Sequence, residues 1–326
     1  MQINEIRGGW KFASKKAQAE KEYWLTFFTS TFQRENTIKR VYDSLINMEL
    51  PAMEDGRPVK FEWLVVNDGS TDNTEELLKQ WCEEDRLPIR YYYQENQGIH
   101  VACNFAVAHC DSFAISSIDS DDALLPTALK VLYEEWQRIP DKENFKGIVG
   151  RCIDPETGKI IGSPLPHSPF DVHAMDMRYK YKIRGEMWGF NRTSVLRQYP
   201  FPTPDPRMRY CPEALVWFEM GKKYKERIVS VPLRLYYRDA ANAITARSNN
   251  RSAANYYLWV YGVNNMLPYL FYSPKEVIRQ YVGISMDGFR TGRSVATILK
   301  DASNKQHKLL VLLMMPVGWL LSKLWK

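Results

Sequence analysis

The amino-acid sequence predicts an α/β fold: a Rossmann-like, mostly parallel sheet covered by helices, with a helical extension at its C-terminal end. Three observations predict it. Strand-like and helix-like segments alternate four times in succession before Ile139, the pattern of a parallel sheet whose connections cover its faces. Two of the strand-like runs end abruptly in acids, at Asp68 and at Asp119–Asp122, and in an open sheet the carboxyl ends of the strands are where ligands bind. Beyond Tyr237 the sequence reads helical and closes on an uncharged apolar run, Leu309–Leu321, set between lysines.

Length and composition set the bounds. A chain of 326 residues, 45% hydrophobic and 25% charged, is globular and accommodates one large domain or a domain with a substantial appendage. Five cysteines (Cys82, Cys103, Cys110, Cys152, Cys211) show no CxxC pair or metal-finger spacing, and no apolar stretch follows the basic start as in a signal peptide. A reducing cytosol is the reading, and in it the glycosylation patterns at Asn191 and Asn250 are chance. The net charge of +6 is concentrated: from Ser273 onward nine Lys/Arg face three acids, so the tail carries the whole excess. Such a tail implies an anionic partner, nucleic acid or an anionic membrane surface.

Each element has its own signal. Residues 1–22 are polar and lysine-rich, an extension or an early helix. Trp24–Thr29 is β-rich and reads as the first strand. Ser30–Asn36 is a loop, and Ile38, Val41, Leu45 and Met48 then recur at steps of three and four, one buried stripe of a helix. Phe61–Val66 is the second strand, and Asp72 with Glu75 opens a helix with Leu77, Leu78, Trp81 and Cys82 inward. Ile89–Tyr93, a helix over Gly98–His109, and Phe113–Ile118 continue the alternation; Leu129, Leu132, Tyr133 and Trp136 mark the next helix. Phe145–Cys152 and Lys159–Ile161 read as strands about a turn, residues 163–182 have little period, and Gly185–Thr193 is a short strand. Tyr199–Pro206 is a rigid proline loop, Glu213 opens a helix, and Arg227–Tyr237 reads as a strand pair.

The run Phe113–Ile118 delivers Asp119, Asp121 and Asp122 to a strand end. Clustered carboxylates are hard oxygen ligands that suit Mg²⁺ or Mn²⁺, and they repel one another without a cation. The alternative is helix capping, since Asp favours N-caps and Pro126 suits a first turn.

Trp63-Leu-Val-Val-Asn-Asp68-Gly-Ser-Thr-Asp72, then Asn96-Gln-Gly98, then Asp119-Ser-Asp121-Asp122, in that order and spacing, resembles the family 2 glycosyltransferases of GT-A fold, over about residues 23–240. The resemblance implies a nucleotide-diphospho-sugar transferase. It implies that Asp68 accepts from the imide N–H of uracil, that Asp119, with Ser120 beside it, faces the ribose, that Asp121 ligates the metal, and that Asp122 caps or assists. The first loop departs from the family's pattern at Ser30-Thr31-Phe32-Gln33-Arg34-Glu35, where Thr31, Phe32 and Glu35 are carried to the nucleotide with Phe32 flanking the base. Asn96 and Gly98 keep the second motif, but the basic residues expected after the glycine are missing; His100 stands in for them or is an ordinary core or surface histidine.

An inverting transfer needs a general base facing the acceptor hydroxyl, and the family places it in an acidic pair at a helix start. Here the segment is Tyr210-Cys-Pro-Glu213-Ala214, with one acid surviving, so Glu213 is the candidate base. Against it stands an N-terminal helix acid favoured by the macrodipole; Glu186 and Asp205 are the reserves. Trp188 and Trp217 suit sugar faces or the core. Arg234 and Arg238 either reach the diphosphate or lie on a solvated strand face.

In the tail, Leu309–Leu321 as a helix reaches ~20 Å, short of the ~30 Å hydrocarbon core. It is expected to lie on an anionic membrane, with Trp319 and Trp325 at headgroup level and the lysines against lipid; docking on the domain or a homodimer interface are the alternatives. The charge runs straight into apolar residues, which argues against nucleic acid. The expected organisation is an extension over 1–22, a catalytic domain over 23–240 divided at 125/126 into nucleotide-binding and acceptor-binding halves, a helical region over 241–306, and a membrane-associating helix over 307–326. The function implied is inverting, metal-dependent transfer from a UDP-linked donor to a glycan or lipid-linked glycan, in surface polysaccharide synthesis at the inner face of the cell membrane. A sugar nucleotidyltransferase is the rival, though no Gly-rich, lysine-bearing loop follows the first strand; a non-catalytic sugar-nucleotide-binding subunit is the other, motivated by Ala214.

Overall fold

A computed structural model describes residues 9–20, 22–203, 210–239 and 252–324; Asp205, Asn250 and Trp325 lie outside the described residues. The strands are β1 Gly9–Ala13, β2 Leu25–Thr31, β3 Phe61–Asp68, β4 Ile89–Gln94, β5 Ala114–Ser117, β6 Ala123–Leu124, β7 Phe145–Ile153, β8 Phe170–Val172, β9 Met187–Arg192 and β10 Lys225–Leu235. The helices are α1 Lys15–Ala19, α2 Lys39–Ile46, α3 Thr74–Glu84, α4 Ile99–Ala108, α5 Ala128–Gln137, α6 Thr193–Leu196, α7 Ala214–Met220, α8 Ser252–Asn265, α9 Pro274–Arg290, α10 Val295–Lys300 and α11 Lys305–Leu324.

One sheet runs through the molecule in the order β1-β4-β3-β2-β5-β9-β7-β10-β6, with β8 also on β10. Strands β4, β3, β2 and β5 are mutually parallel, β9 is antiparallel to both β5 and β7, and β10 is parallel to β7. Two reversals restore direction, so β7 and β10 point the same way as the central four. The carboxyl ends of β2, β3, β5 and β10 therefore gather on one edge.

Alternation along the strands builds a core on each face. Leu25, Phe27, Trp63 and Val65 face Ile38, Val41 and Leu45 of the α2 segment, Leu78 and Trp81 of α3, and Leu129, Leu132 and Trp136 of α5. The residues between them, Phe28, Leu64 and Val66, face Ala102 and Phe105 of α4, Val195 of α6 and Val216 and Met220 of α7. The stripes read from sequence are thus the buried stripes; Leu77 alone among those of α3 stays half-buried. A separate core binds the C-terminal helices, with Tyr256, Val263, Tyr281, Ile284, Ile298 and Val311 inside.

Four local readings differ from the structure. Residues 9–13 join the sheet as β1, antiparallel to β4, with Phe12 stacked on Tyr91 at 4.3 Å. The strand pair expected over Arg227–Tyr237 is one continuous strand, Lys225–Leu235: Pro232 lies at an irregularity in the pairing of β10 with β7, where a missing N–H is tolerated, and a proline there mimics a break. Lys159–Ile161 makes only the isolated bridge Ile153↔Ile160. The stretch without period contains β8 and a single π-helical turn, Asp176–Lys180, too short to show one.

Candidate active site

The loops after β2 and β3 are clasped together. Gln33 donates its N–H to Ser70 Oγ at 2.9 Å, while its Oε1 accepts from the N–H groups of Thr71 and Asp72, both at 3.1 Å. Glu35 N–H donates to Asp72 Oδ2 and Asn73 N–H to Glu35 Oε2, each at 3.0 Å. Asp72 also accepts from Thr74 N–H, so it secures the start of α3 as expected; Glu75 instead accepts from Tyr91 OH. Glu35 is therefore a loop fastener. Thr31 is buried at the end of β2, its hydroxyl without a hydrogen-bond partner among the described residues, and Phe32 beside it is half-buried.

Asp68 ends β3, buried, and its carboxylate accepts from Gln94 Nε2 at 2.7 Å and from the N–H groups of Gln97 and Gly98 at 2.8 Å. Asn96 returns a bond from Nδ2 to the Asp68 carbonyl at 2.9 Å. The motifs at 68 and 96–98 thus form one unit. Gly69 fits because φ is +86° and a Cβ would come within 2.9 Å of Asn96 N; no other residue type meets both conditions cheaply.

After β5 the acids turn inward toward a residue that sequence left on the strand surface. Arg234 of β10 is buried, with Nη1 3.0 Å from Asp119 Oδ2 and 3.3 Å from Asp122 Oδ2, Nη2 3.8 Å from Glu186, and Nε 3.3 Å from Cys152 Sγ. Burial works against its charge, yet Asp119, Cys152 and Asp122 outweigh it and hold the guanidinium above its ordinary value. Asp122 is buried too, and burial pushes its carboxyl up to about 7 against the opposing pull of Arg234. It accepts from Tyr237 N–H at 2.8 Å. No acid caps α5, whose N-cap is Thr127 without a side-chain bond, so capping does not explain the cluster. Arg238 is exposed, as a solvated strand end.

Asp121 differs from its neighbours. Its carbonyl accepts from Arg40 Nη1 at 3.0 Å, and Arg40 is itself held by a bidentate pair with Asp239 and lies over the Tyr237 ring. Its carboxylate, half-buried, makes no hydrogen bond to another side chain and no ion pair among the described residues; burial first and Asp119 second raise its pKa, while Arg34, its own backbone N–H and Arg234 pull the other way. Two repelling carboxylates, one of them without an ion-pair partner among the described residues, fit a divalent cation. Among the described residues no three His, Cys, Asp or Glu side chains group as a metal cage. Mg²⁺ is commonly held by one or two carboxylates completed by substrate phosphates, so Asp121 with Asp119 behind it fits that donor set. Ser120 between them is buried.

Glu213 immediately precedes α7 and opens on a cleft lined by Phe28, His100, Cys103, Ile115, Phe201 and Trp217, among others. Its surface is accessible to solvent, yet the surrounding wall desolvates it, and this pushes its carboxyl up to about 7. Repulsion from Asp119 adds to the shift, and Trp217 Nε1, 3.3 Å from Glu213 Oε2, opposes it. The side chain makes no capping bond to α7. His100 is buried in this same wall on α4. Trp188 is a core residue, stacked on Phe27 and donating to the Ser117 carbonyl at 2.6 Å, whereas Trp217 faces the cleft. Sequence reasoning missed Arg234 as the counter-ion of the acids and Arg40 as their brace. A basic residue inside the strand that carries Pro232 was the available signal for the first, and nothing marked the second.

Comparison with known proteins bears on the family and the fold. The family model described as "Glycosyl transferase family 2" matches residues 26–189. A chondroitin synthase of Pasteurella multocida (strain Pm70) is 32% identical over 112 residues, 34% of this chain and 11% of that protein. The match spans only 11–15% of the length of this relative and of two other curated relatives, a chondroitin synthase of Escherichia coli and a glycosyltransferase of Streptococcus pneumoniae. Among solved structures, S. aureus TarS in complex with UDP-GlcNAc aligns at TM-score 0.57 with 15% identity, over 92% of this chain and 90% of that one. The mannosyltransferase PcManGT from Pyrobaculum calidifontis, in complex with GDP-Man and Mn²⁺, aligns at TM-score 0.52 with 15% identity, over 98% and 91%. At such identities the structural likeness establishes a shared fold.

Proposed function

The chain belongs to glycosyl transferase family 2, and from that premise we propose that it moves a sugar, with inversion, from a UDP-linked donor to a glycan or lipid-linked glycan acceptor in surface polysaccharide synthesis. The observation that carries the reading is the gathering at one sheet edge of Asp68, which binds the 96–98 loop, Asp121, which has no ion-pair partner among the described residues, and Glu213, which opens on a cleft with its carboxyl raised to about 7.

In this reading the clasped loops form the base and ribose site, with Phe32 against the base and Asp119 toward the ribose. Asp68 accepts the imide N–H, sharing its carboxylate with the N–H groups of Gln97 and Gly98. Asp121 would hold Mg²⁺ or Mn²⁺, which when bound supplies positive charge to the leaving diphosphate. Arg234 pairs with Asp119 and Asp122 and holds both in place. Glu213 takes the proton of the acceptor hydroxyl as its oxygen bonds to the anomeric carbon; the bond from that carbon to the diphosphate oxygen breaks, and the electron pair leaves with the nucleoside diphosphate. A base near 7 suits this step at cytosolic pH. A carboxylate at position 68 accepts from uracil N3–H and guanine N1–H alike, so the UDP reading is supported by the UDP-GlcNAc neighbour, and the GDP-Man neighbour makes GDP the comparison to run. The basic, apolar C-terminal region supports a peripheral position on the inner face of the membrane.

Calorimetry with UDP and GDP in the presence and absence of Mn²⁺ tests the donor site. Tight UDP binding that requires Mn²⁺ and disappears in Asp121→Ala is expected. Equal affinity in that variant removes the metal assignment.

A further inference from the structure

The face of α11 that points away from the protein is apolar, the reverse of a soluble helix. Leu309, Leu312, Leu313, Val317, Leu320 and Leu324 on it are each 46–64% exposed. At about 100° per residue, Leu309, Leu313, Leu320 and Leu324 fall within about 60° of one another, while the buried residues His307, Val311 and Gly318 fall nearly opposite. Trp319 is half-exposed on the flank, and the exposed Lys305 and Lys323 stand at the two ends of the outward face.

At 20 residues the helix is about 30 Å long, which matches the thickness of a hydrocarbon core. Its inner face argues against crossing one. Gly318 lies so near α9 that a Cβ would meet Ser285 Cβ at 2.6 Å and the Val282 carbonyl at 2.7 Å. Arg290 Nη2 donates to the Leu321 carbonyl at 3.3 Å, and Tyr281 OH meets His307 Nδ1 at 2.8 Å. α9 carries Lys275, Glu276, Arg279, Asp287 and Arg290 along its length, so a docked α11 that spanned a bilayer would drag charged groups into lipid. The excess of nine basic residues over three acids beyond Ser273 complements an anionic surface.

We propose that helices α8–α11 form a monolayer-docking module: α11 lies parallel to an anionic membrane, its outward face sunk into the headgroup–acyl boundary of one leaflet and its end lysines among the headgroups. This deepens the reading of a membrane-associated transferase and rests on it. The docked geometry holds the catalytic edge at a fixed height above that leaflet, which suits an acceptor anchored in the same leaflet.

Flotation of the full chain with phosphatidylcholine vesicles, with and without phosphatidylglycerol, tests it. Binding is expected only with phosphatidylglycerol, falling roughly tenfold or more in Leu313→Glu/Leu320→Glu and again in high salt. Leu313→Trp reports depth: bromine placed near the headgroups should quench the added indole more than bromine at the chain ends, and the reverse order overturns the in-plane orientation. A chain that ignores vesicles but sediments as a dimer split by Leu313→Glu/Leu320→Glu gives this face to a second copy and overturns the proposal. UDP affinity with Mn²⁺, measured in the same preparations, separates the two readings: UDP binding without flotation removes the docking alone, and flotation without UDP binding removes the transferase reading alone.

Discussion

At the scale of single residues, the site works by giving similar carboxylates different surroundings. Asp122 is buried with its carboxyl raised to about 7, Asp119 is paired with Arg234, Asp121 has no ion-pair partner among the described residues and is the proposed cation ligand, and Glu213, also raised to about 7, is the proposed base. Glu213→Gln keeps the shape and removes the proton acceptor, so transfer should fall by roughly 10²–10⁴-fold while calorimetric UDP affinity is unchanged. Because the carboxyl is raised, it is protonated and inactive below about 7, and kcat should climb as pH rises through that value. Trp217→Phe removes the hydrogen bond that stabilises the charged form, so the acid limb of the pH–rate profile should move upward. An unmoved limb would detach Trp217 from Glu213. Arg234→Met strips the shared cation from two acids, one fully buried, and a loss of about 3–5 kcal/mol in urea unfolding is expected.

At the scale of elements, legibility followed period and burial. The alternating strands and helices up to α5 were readable because each buries one regular stripe against a sheet buried on both faces. Trp81 on α3 packs in a three-ring cluster with Tyr42 and Trp63, and Trp81→Ala should cost about 3–5 kcal/mol, checked by thermal melting. β10 was misread because Pro232 interrupts the pattern without interrupting the strand. The loop pair was legible as motif but not as mechanism. That Glu35 and Asp72 fasten two loops to each other depends on contacts 37 and 38 residues apart in sequence, which no local pattern carries.

At the scale of the whole molecule, one sheet serves two tasks: its carboxyl edge builds the site, and helices beyond it form a separate core. The site draws on β2, β3, β5, β10 and α7, none of which belongs to α11. Removing residues 305–326 should therefore leave UDP affinity intact, while baring the α9 surface around Ser285 and lowering the melting temperature. A loss of donor binding in that truncation would show that the two parts are coupled.

The sequence by itself determined the α/β class, the strand ends that carry the acids and the basic, apolar character of the tail, because periodicity and strand-end motifs are local properties of the chain. Only the tertiary structure decided which acid is spent on Arg234 and which is left open, that Asp68 and the 96–98 loop are one unit, and that α11 is docked along one face. Those outcomes are set by partners distant in sequence, such as the 115 residues between Asp119 and Arg234, and by burial, which turns a strand arginine into a counter-ion.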